Sequence, residues 1–199
     1  MLHAALYRQL AADDDRAAYW VRHVRLGVGL TEVSALAVVA YALVTPGTAT
    51  RTAVLLALAG SAVLAAPLLL VLPVAQMVRD RRGRLLFYGW SLAVTGLVAA
   101  ASRVDGGTSS PLFALLFITL GFMAVAYPPW GVVAMGAVMT GAYLVCVTGS
   151  SLDSSASFIA VVMATCTVLC AMASEDHWES YERQQLLLHT SEVLAATDR

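Results

Sequence analysis

The 199-residue chain contains no lysine, because all twelve of its basic residues are arginine. Without a lysine amine, neither retinal nor pyridoxal phosphate can form a Schiff base on this chain, which excludes a rhodopsin-type light sensor. Charged residues make up only 13% of the chain, about half of the roughly 25% that is usual in globular domains. The formal net charge of −1 gives no indication of a nucleic-acid partner.

Cysteine is scarce as well, and Cys146, Cys166 and Cys170 all fall inside apolar runs, without the pattern of a disulfide framework. The N-terminus does not resemble a signal peptide, because three consecutive acids at residues 13–15 precede the first long apolar run. What the chain has in excess is apolar residues, which make up 59% of it and give a mean hydropathy of +0.76. These values predict an integral membrane protein.

Six apolar runs are long enough to cross a bilayer, which takes about 20 residues, although the fourth and fifth runs are a little short. Short connections separate the runs, so consecutive helices should be antiparallel neighbours. We therefore predict an all-α, polytopic membrane protein with a six-helix transmembrane domain at residues 26–174. Pro67 and Pro73 should kink or break the second helix. The predicted crossings are residues 26–44, 52–76, 85–102, 111–127, 130–147 and 156–173.

The arginines indicate the orientation. Only Arg51 and Arg103 lie on one side of the predicted bundle, whereas the other side carries Arg8, Arg16, Arg22, Arg25, Arg79, Arg81, Arg82 and Arg84. By the positive-inside rule, the amphipathic segment 1–25 and the C-terminus are cytoplasmic, in an inner membrane of the bacterial type. The outer loops are too small for an extracellular domain, so we expect a small apolar, redox or gaseous stimulus that is met within the bilayer.

Residues 175–199 differ from the apolar runs, because they are charged and contain neither glycine nor proline. Apolar or small residues recur in this segment at the 3–4 spacing of a coiled coil. We predict a parallel, dimeric cytoplasmic helix that continues directly from the sixth crossing, and hence a homodimer in membrane lipid. The stripe consists of Trp178, Tyr181, Gln184, Leu187, Leu188, Ser191, Leu194 and Ala195.

The last nine residues, SEVLAATDR, resemble the end of the helix that leads into a GGDEF domain, the catalytic domain of diguanylate cyclases. In that family the helix ends in a Leu-Ala-x-x-Asp-type stretch, which Leu194, Ala195, Thr197 and Asp198 match here. The resemblance implies a parent protein that makes cyclic di-GMP from two GTP molecules, one on each of two facing domains. None of the catalytic motif is present in these residues, so we expect this chain to be the sensor and not the enzyme.

Two alternatives remain open, and the first is that the chain is the sensor region of a histidine kinase. The stretch DGGTSSPLF at residues 105–113 is similar to a turn in six-helix sensor domains of histidine kinases, although Pro111 at a helix start and the Gly106–Gly107 pair also have purely structural explanations. A kinase needs a phosphoacceptor histidine, and His189 is followed by Thr190 where an acid is usual. A small transporter is the other alternative, which the single intramembrane acid, the lack of a repeat and the dimerising tail disfavour.

His23 and His177 lie just outside the first and sixth crossings, on the predicted cytoplasmic side. If those helices are adjacent, the two imidazoles approach each other and form a candidate site for b-type haem. Membrane haem is commonly held by one or two axial histidines. The haem iron is the only metal that we expect. Trp20 and Trp178 would supply flat apolar walls. The alternative is that these residues form an ordinary interfacial belt.

Glu32 is the only acid within the predicted crossings. An ionisable group in hydrocarbon costs several kcal/mol unless it is protonated or paired, so Glu32 is a candidate site residue. The structural alternative is a protonated or arginine-paired glutamate near the interface that holds two helices together.

Overall fold

The computed structural model describes residues 2–77, 81–147 and 154–197, which are helical apart from short connections and contain no strand. The all-α prediction is therefore confirmed. Two 3-10 turns, Gly107–Ser109 and Pro111–Ala114, and a π turn, Tyr143–Val147, extend or connect the helices. The α-helices in these residues are α1 (Leu2–Val44), α2 (Ala49–Ala65), α3 (Leu68–Val71), α4 (Val74–Met77), α5 (Arg81–Val104), α6 (Leu115–Ala126), α7 (Pro129–Ala142) and α8 (Ser154–Thr197).

Four helical stretches in the described residues are long and apolar enough to cross a membrane. They are Ala18–Val44, Ala49–Val71, Leu85–Val104 and Ser154–Ser180, and they match the first, second, third and sixth predicted crossings. Large apolar side chains such as Leu36, Leu64, Phe158 and Leu169 stay exposed along them. An apolar outer surface of this extent suits lipid and not water.

The fourth and fifth predicted crossings form shorter apolar helices, Pro111–Ala126 and Pro129–Val145. Proline sets their lengths: Pro111 starts a 3-10 turn, and Pro128 and Pro129 follow Tyr127, whose backbone is extended at φ −117° and ψ 152°. Helices of this length reach roughly 24 Å, against about 30 Å of hydrocarbon. The structure thus supports four crossings, and crossing by the α6–α7 pair stays a prediction.

Pro67 and Pro73 interrupt the second crossing, as the sequence predicts. The short helix α3 follows Pro67, and Leu72 then takes an extended conformation, with φ −70° and ψ 146°, immediately before Pro73 and α4. A residue that precedes proline avoids the helical region because the ring clashes with its backbone. Ala66 stays helical before Pro67, so the main break is at Leu72.

The last helix packs mainly against α7 and α6, and α1 packs mainly against α2. Gly136 allows the close approach of α7 to α8, because a Cβ atom at this position would overlap the side chain of Thr167. Small residues at such contacts let membrane helices come together where hydrophobic burial gives no net gain. Gly136 therefore serves helix packing within the bundle.

Both terminal segments continue the first and last crossings without a break. α1 spans 43 residues and α8 spans 44, so residues 2–25 and 175–197 belong to the same helices as the adjacent crossings. From Tyr181 onward, the side chains of the predicted stripe lie outside the described residues, with the exception of Leu187, which is 71% exposed. The coiled-coil pairing of this segment stays a prediction.

Candidate functional site where the last helix leaves the bundle

Tyr127, the residue between α6 and α7, organises the end of the bundle at which α1 enters and α8 leaves. Its carbonyl oxygen lies outside both helices, because Tyr127 and Pro128 both have extended backbones. Ser174 Oγ donates a 2.7 Å hydrogen bond to this oxygen, and Trp178 Nε1 donates a second of 3.1 Å. Ser174 and Trp178 are one helical turn apart on α8, so one carbonyl holds the helix at two points.

The side chain of Tyr127 makes a second set of contacts, with α1 and α5. Its hydroxyl donates a 3.0 Å hydrogen bond to the Phe87 carbonyl and lies 2.9 Å from Ser91 Oγ. Trp20 packs edge-on against the ring, with a centroid distance of 5.9 Å. Four parts of the fold therefore meet at one residue, and we refer to Ser91, Tyr127, Ser174 and Trp178 as the Tyr127 junction.

The structure places the two predicted histidines beside the junction, with Tyr19 in contact with both. The His23 ring is buried, with its centroid 4.0 Å from that of Tyr19. His177 is exposed, and its Nε2 lies 3.5 Å from the Tyr19 hydroxyl. That hydroxyl also donates a 2.6 Å hydrogen bond to the carbonyl of Val125, at the end of α6. Helices α1 and α8 thus approach each other here, as the haem hypothesis requires.

A haem between the two histidines would require this site to rearrange. His23 Nδ1 donates a 2.8 Å hydrogen bond to the Tyr19 carbonyl, which leaves Nε2 as the ring nitrogen that could bind iron. Tyr19 contacts both imidazoles as they are placed. The adjacent cavity, lined in part by Trp20, His23 and Tyr127, measures about 30 Å³, roughly the share of one water molecule in the liquid. Among the described residues no group of three or more His, Cys, Asp or Glu side chains is placed to hold a metal ion.

Haem binding stays a prediction, and its test is a visible absorption spectrum. Protein expressed with added haem should show a Soret band that His23→Ala or His177→Ala removes, and a colourless protein would end the hypothesis.

The two tryptophans among the predicted site residues have structural contacts. Trp20 stacks on Phe87 at 5.5 Å, and Trp178 bonds to Tyr127.

Glu32 lies half-buried on α1, away from the junction. Its Oε1 atom is buried and has no hydrogen-bond partner in the described part of the molecule. The ion pairs among the described residues, Arg51–Asp105 and Arg183–Glu179, do not include it. A buried carboxyl oxygen without a partner in a membrane helix keeps Glu32 as a candidate functional residue.

Asp105 centres a polar cluster at the opposite end of the bundle, where the sequence analysis identified only a turn. Its carboxylate is 1% exposed and forms an ion pair with Arg51, whose Nε donates a 2.7 Å hydrogen bond to Oδ1. The hydroxyls of Tyr41 and Ser110 donate to Oδ2 at 3.0 and 2.6 Å. Arg51 and Asp105 carry opposite charges on the same side of the predicted bundle. This pairing of charges in the sequence could have predicted the cluster.

The Gly106–Gly107 pair makes the turn after Asp105 possible. Both residues have positive φ, at 114° and 64°, in the region that side chains disfavour. Ser110 then accepts a 3.1 Å hydrogen bond from the Leu112 amide and caps the 3-10 turn that starts α6. The stretch that is similar to kinase sensor domains therefore has a structural role in this fold.

Comparison with protein-family models, with curated proteins and with solved structures finds no match for this chain.

Proposed function

We propose that this chain is the sensory part of a membrane signalling protein, in which α8 carries a change in the bundle to an output domain. The observation that supports this best is the path of α8. The helix packs against α7 and α6, is bonded to Tyr127 where it leaves the bundle, and continues without interruption to Thr197. At about 1.5 Å per residue such a helix is roughly 66 Å long, enough to act well outside the bilayer.

The Tyr127 junction gives α8 a defined point of control. The α6–α7 pair positions the Tyr127 carbonyl, and this carbonyl accepts hydrogen bonds from Ser174 and Trp178. A displacement of the α6–α7 pair therefore moves α8 or breaks both bonds, since the bonds share one acceptor. Signalling helices respond to shifts of this kind because packed interfaces have discrete arrangements and do not deform continuously.

We propose a diguanylate cyclase as the output, on the basis of the Leu-Ala-x-x-Asp-type stretch at residues 194–198. Two GTP-loaded catalytic domains must face each other, so the cyclase requires a dimer of α8 helices. Arginine placement predicts that both ends of the chain lie in the cytoplasm, where GTP is available. A bilayer of the bacterial inner-membrane type is the matching location.

The sensor of a histidine kinase is the second candidate. It is favoured by the sequence stretch DGGTSSPLF at residues 105–113, which is similar to a turn in sensor domains of histidine kinases. A kinase catalytic core joined to residue 199 would then become autophosphorylated under control of the bundle, and a cyclase domain would not be controlled.

Insertions in α8 of a fusion protein test the proposal. The chain is joined to an active GGDEF catalytic domain at residue 199, and cyclic di-GMP is measured in a bacterial host. Seven residues inserted after Glu182 keep the coiled-coil register, so the product level should stay close to that of the parent fusion. Four inserted residues rotate the output domains, and the product level should change several-fold. Equal product levels for both insertions would contradict the proposal.

A further inference from the structure

A cavity of about 90 Å³ lies inside the bundle, between α1, α2, α5 and α6. The residues that line it on α1 extend from Gly27 to Val38, in the middle of the Ala18–Val44 span, so the cavity lies near mid-membrane depth. Its volume comes from short side chains where the helices face each other. The small residues in its wall are Gly27, Ala35, Ala59, Ala62 and Ala101.

The wall of this cavity selects an uncharged, largely apolar molecule. None of its lining residues carries a charge, so an ion that entered would lose its hydration without compensation. The hydroxyls of Thr31 and Thr119 donate within their own helices at 2.9 Å, and Ser91 bonds to Tyr127. Ser34 and the indole N–H of Trp90 are the remaining polar groups in the wall, so a ligand meets few hydrogen-bonding groups there.

The cavity is accessible from the lipid, because several of its wall residues are only half-buried along the apolar spans, among them Leu30, Leu58 and Val94. An apolar cavity of about 150 Å³ holds a benzene molecule. A cavity of about 90 Å³ is smaller than that, so it takes only one end of a ring or branched molecule, and the rest of the molecule extends into the membrane.

The inner end of the cavity leads to the Tyr127 junction. Gly27, Trp90, Ser91 and Phe122 line both this cavity and the smaller one beside Tyr127. Phe122 packs closely against Gly27 at this end, since a Cβ atom on Gly27 would lie 2.9 Å from the Phe122 Cζ atom. A molecule that displaces Ser91 therefore acts on the group that is bonded to the Tyr127 hydroxyl, and Phe122 lies in the wall that the two cavities share.

We propose that this cavity is the sensory site and that it binds an uncharged, largely apolar molecule that partitions from the bilayer. The bound molecule shifts Ser91 and Phe122 and thereby biases the Tyr127 junction and α8. The regulatory half of this inference rests on the proposed sensor function, whereas the binding half does not.

Trp90 provides a direct binding measurement. In a full-length variant with Trp20, Trp130 and Trp178 replaced by phenylalanine, Trp90 is the remaining tryptophan, and bromobenzene serves as a quencher that partitions into nanodiscs. Quenching should saturate, because the cavity and its opening to the lipid admit one molecule at a time. Ala59→Leu fills the cavity and should remove the saturable part. Ala57→Leu adds the same side chain at an exposed position of α2 and should preserve it.

Several results would overturn the binding site. Quenching that rises linearly with bromobenzene would show partition into lipid only, and saturation that survives Ala59→Leu would place the probe elsewhere. A dependence of the quenching on the protein-to-lipid ratio would show that a second copy covers the cavity. If Ala59→Leu does not fold, Ala101→Val fills the opposite wall and should have the same effect.

A second measurement separates binding from sensing. In the cyclase fusion that retains all its tryptophans, bromobenzene should change the cyclic di-GMP level at least twofold, and Ala59→Leu should abolish the response. Saturable quenching without any change in product would overturn the sensory role of the cavity. If the insertions in α8 behave alike but the quenching saturates, the proposed output fails while the binding site stands.

Discussion

At the scale of single residues, Tyr127 stands out because one backbone carbonyl accepts two side-chain hydrogen bonds from the same helix. Ser174 is fully buried, so this oxygen cannot replace a lost partner readily with water. A single hydrogen bond contributes about 1 kcal/mol, but leaving a buried acceptor with no partner costs about 1–3 kcal/mol. The two bonds should therefore depend on each other.

Removal of the two donors should be non-additive. Ser174→Ala and Trp178→Phe should each reduce the free energy of unfolding by about 1 kcal/mol, and the double variant by clearly more than the sum. Thermal unfolding in a fixed detergent measures this, with Thr165→Val as a control, since that exposed hydroxyl bonds only to Val161 of its own helix in the structure. Strict additivity would contradict the shared-acceptor account.

At the scale of helices, the contact between α7 and α8 depends on Gly136. Gly136→Ala should destabilise the fold by about 1–3 kcal/mol, because the added methyl group overlaps Thr167 and forces the helices apart. Gly141→Ala is the matched control on the same helix, since a Cβ atom there meets nothing within 4 Å. Thr167→Ala should recover part of the loss in the Gly136→Ala background. Equal effects of the two glycine substitutions would contradict the packing.

The Asp105 cluster connects α1, α2 and α5 at the other end. Asp105→Asn should lower the thermal unfolding midpoint, because it leaves the Arg51 guanidinium without its counter-charge at a largely buried site. Arg51→Gln added to Asp105→Asn should recover part of that loss, since no unpaired charge then remains. The exposed Arg103 supplies the control, and Arg103→Gln should leave the midpoint unchanged. No recovery in the double variant would show that the charge pair is not the cause.

At the scale of the whole molecule, composition was sufficient to predict the helical membrane class. In lipid every backbone N–H and C=O group must form a hydrogen bond within the protein, so long apolar runs form helices. Counting crossings and arginines also placed His23 and His177 at one end, where Tyr19 now contacts both. Depth in the bilayer follows from sequence position alone.

The contacts at both ends were not predictable from single runs. Which face of α8 meets Tyr127 depends on the rotation of three helices, and no pattern within one run records that rotation. The prolines around α6 and α7 were visible in the sequence, but the 3-10 start at Pro111 that shortens α6 depends on Ser110 as its cap. The contacts between α8 and Tyr127 could therefore be found only from the structure.

The central claim is that two α8 helices run side by side beyond the bundle, and disulfide cross-linking in nanodiscs tests it most directly. In full-length protein with Cys146, Cys166 and Cys170 replaced by serine, Gln184→Cys lies on the predicted stripe, and Glu182→Cys lies roughly 200° around the helix. We predict rapid formation of a covalent dimer with Gln184→Cys and little with Glu182→Cys. Protein that stays monomeric with both variants, or cross-links equally with both, would contradict the account.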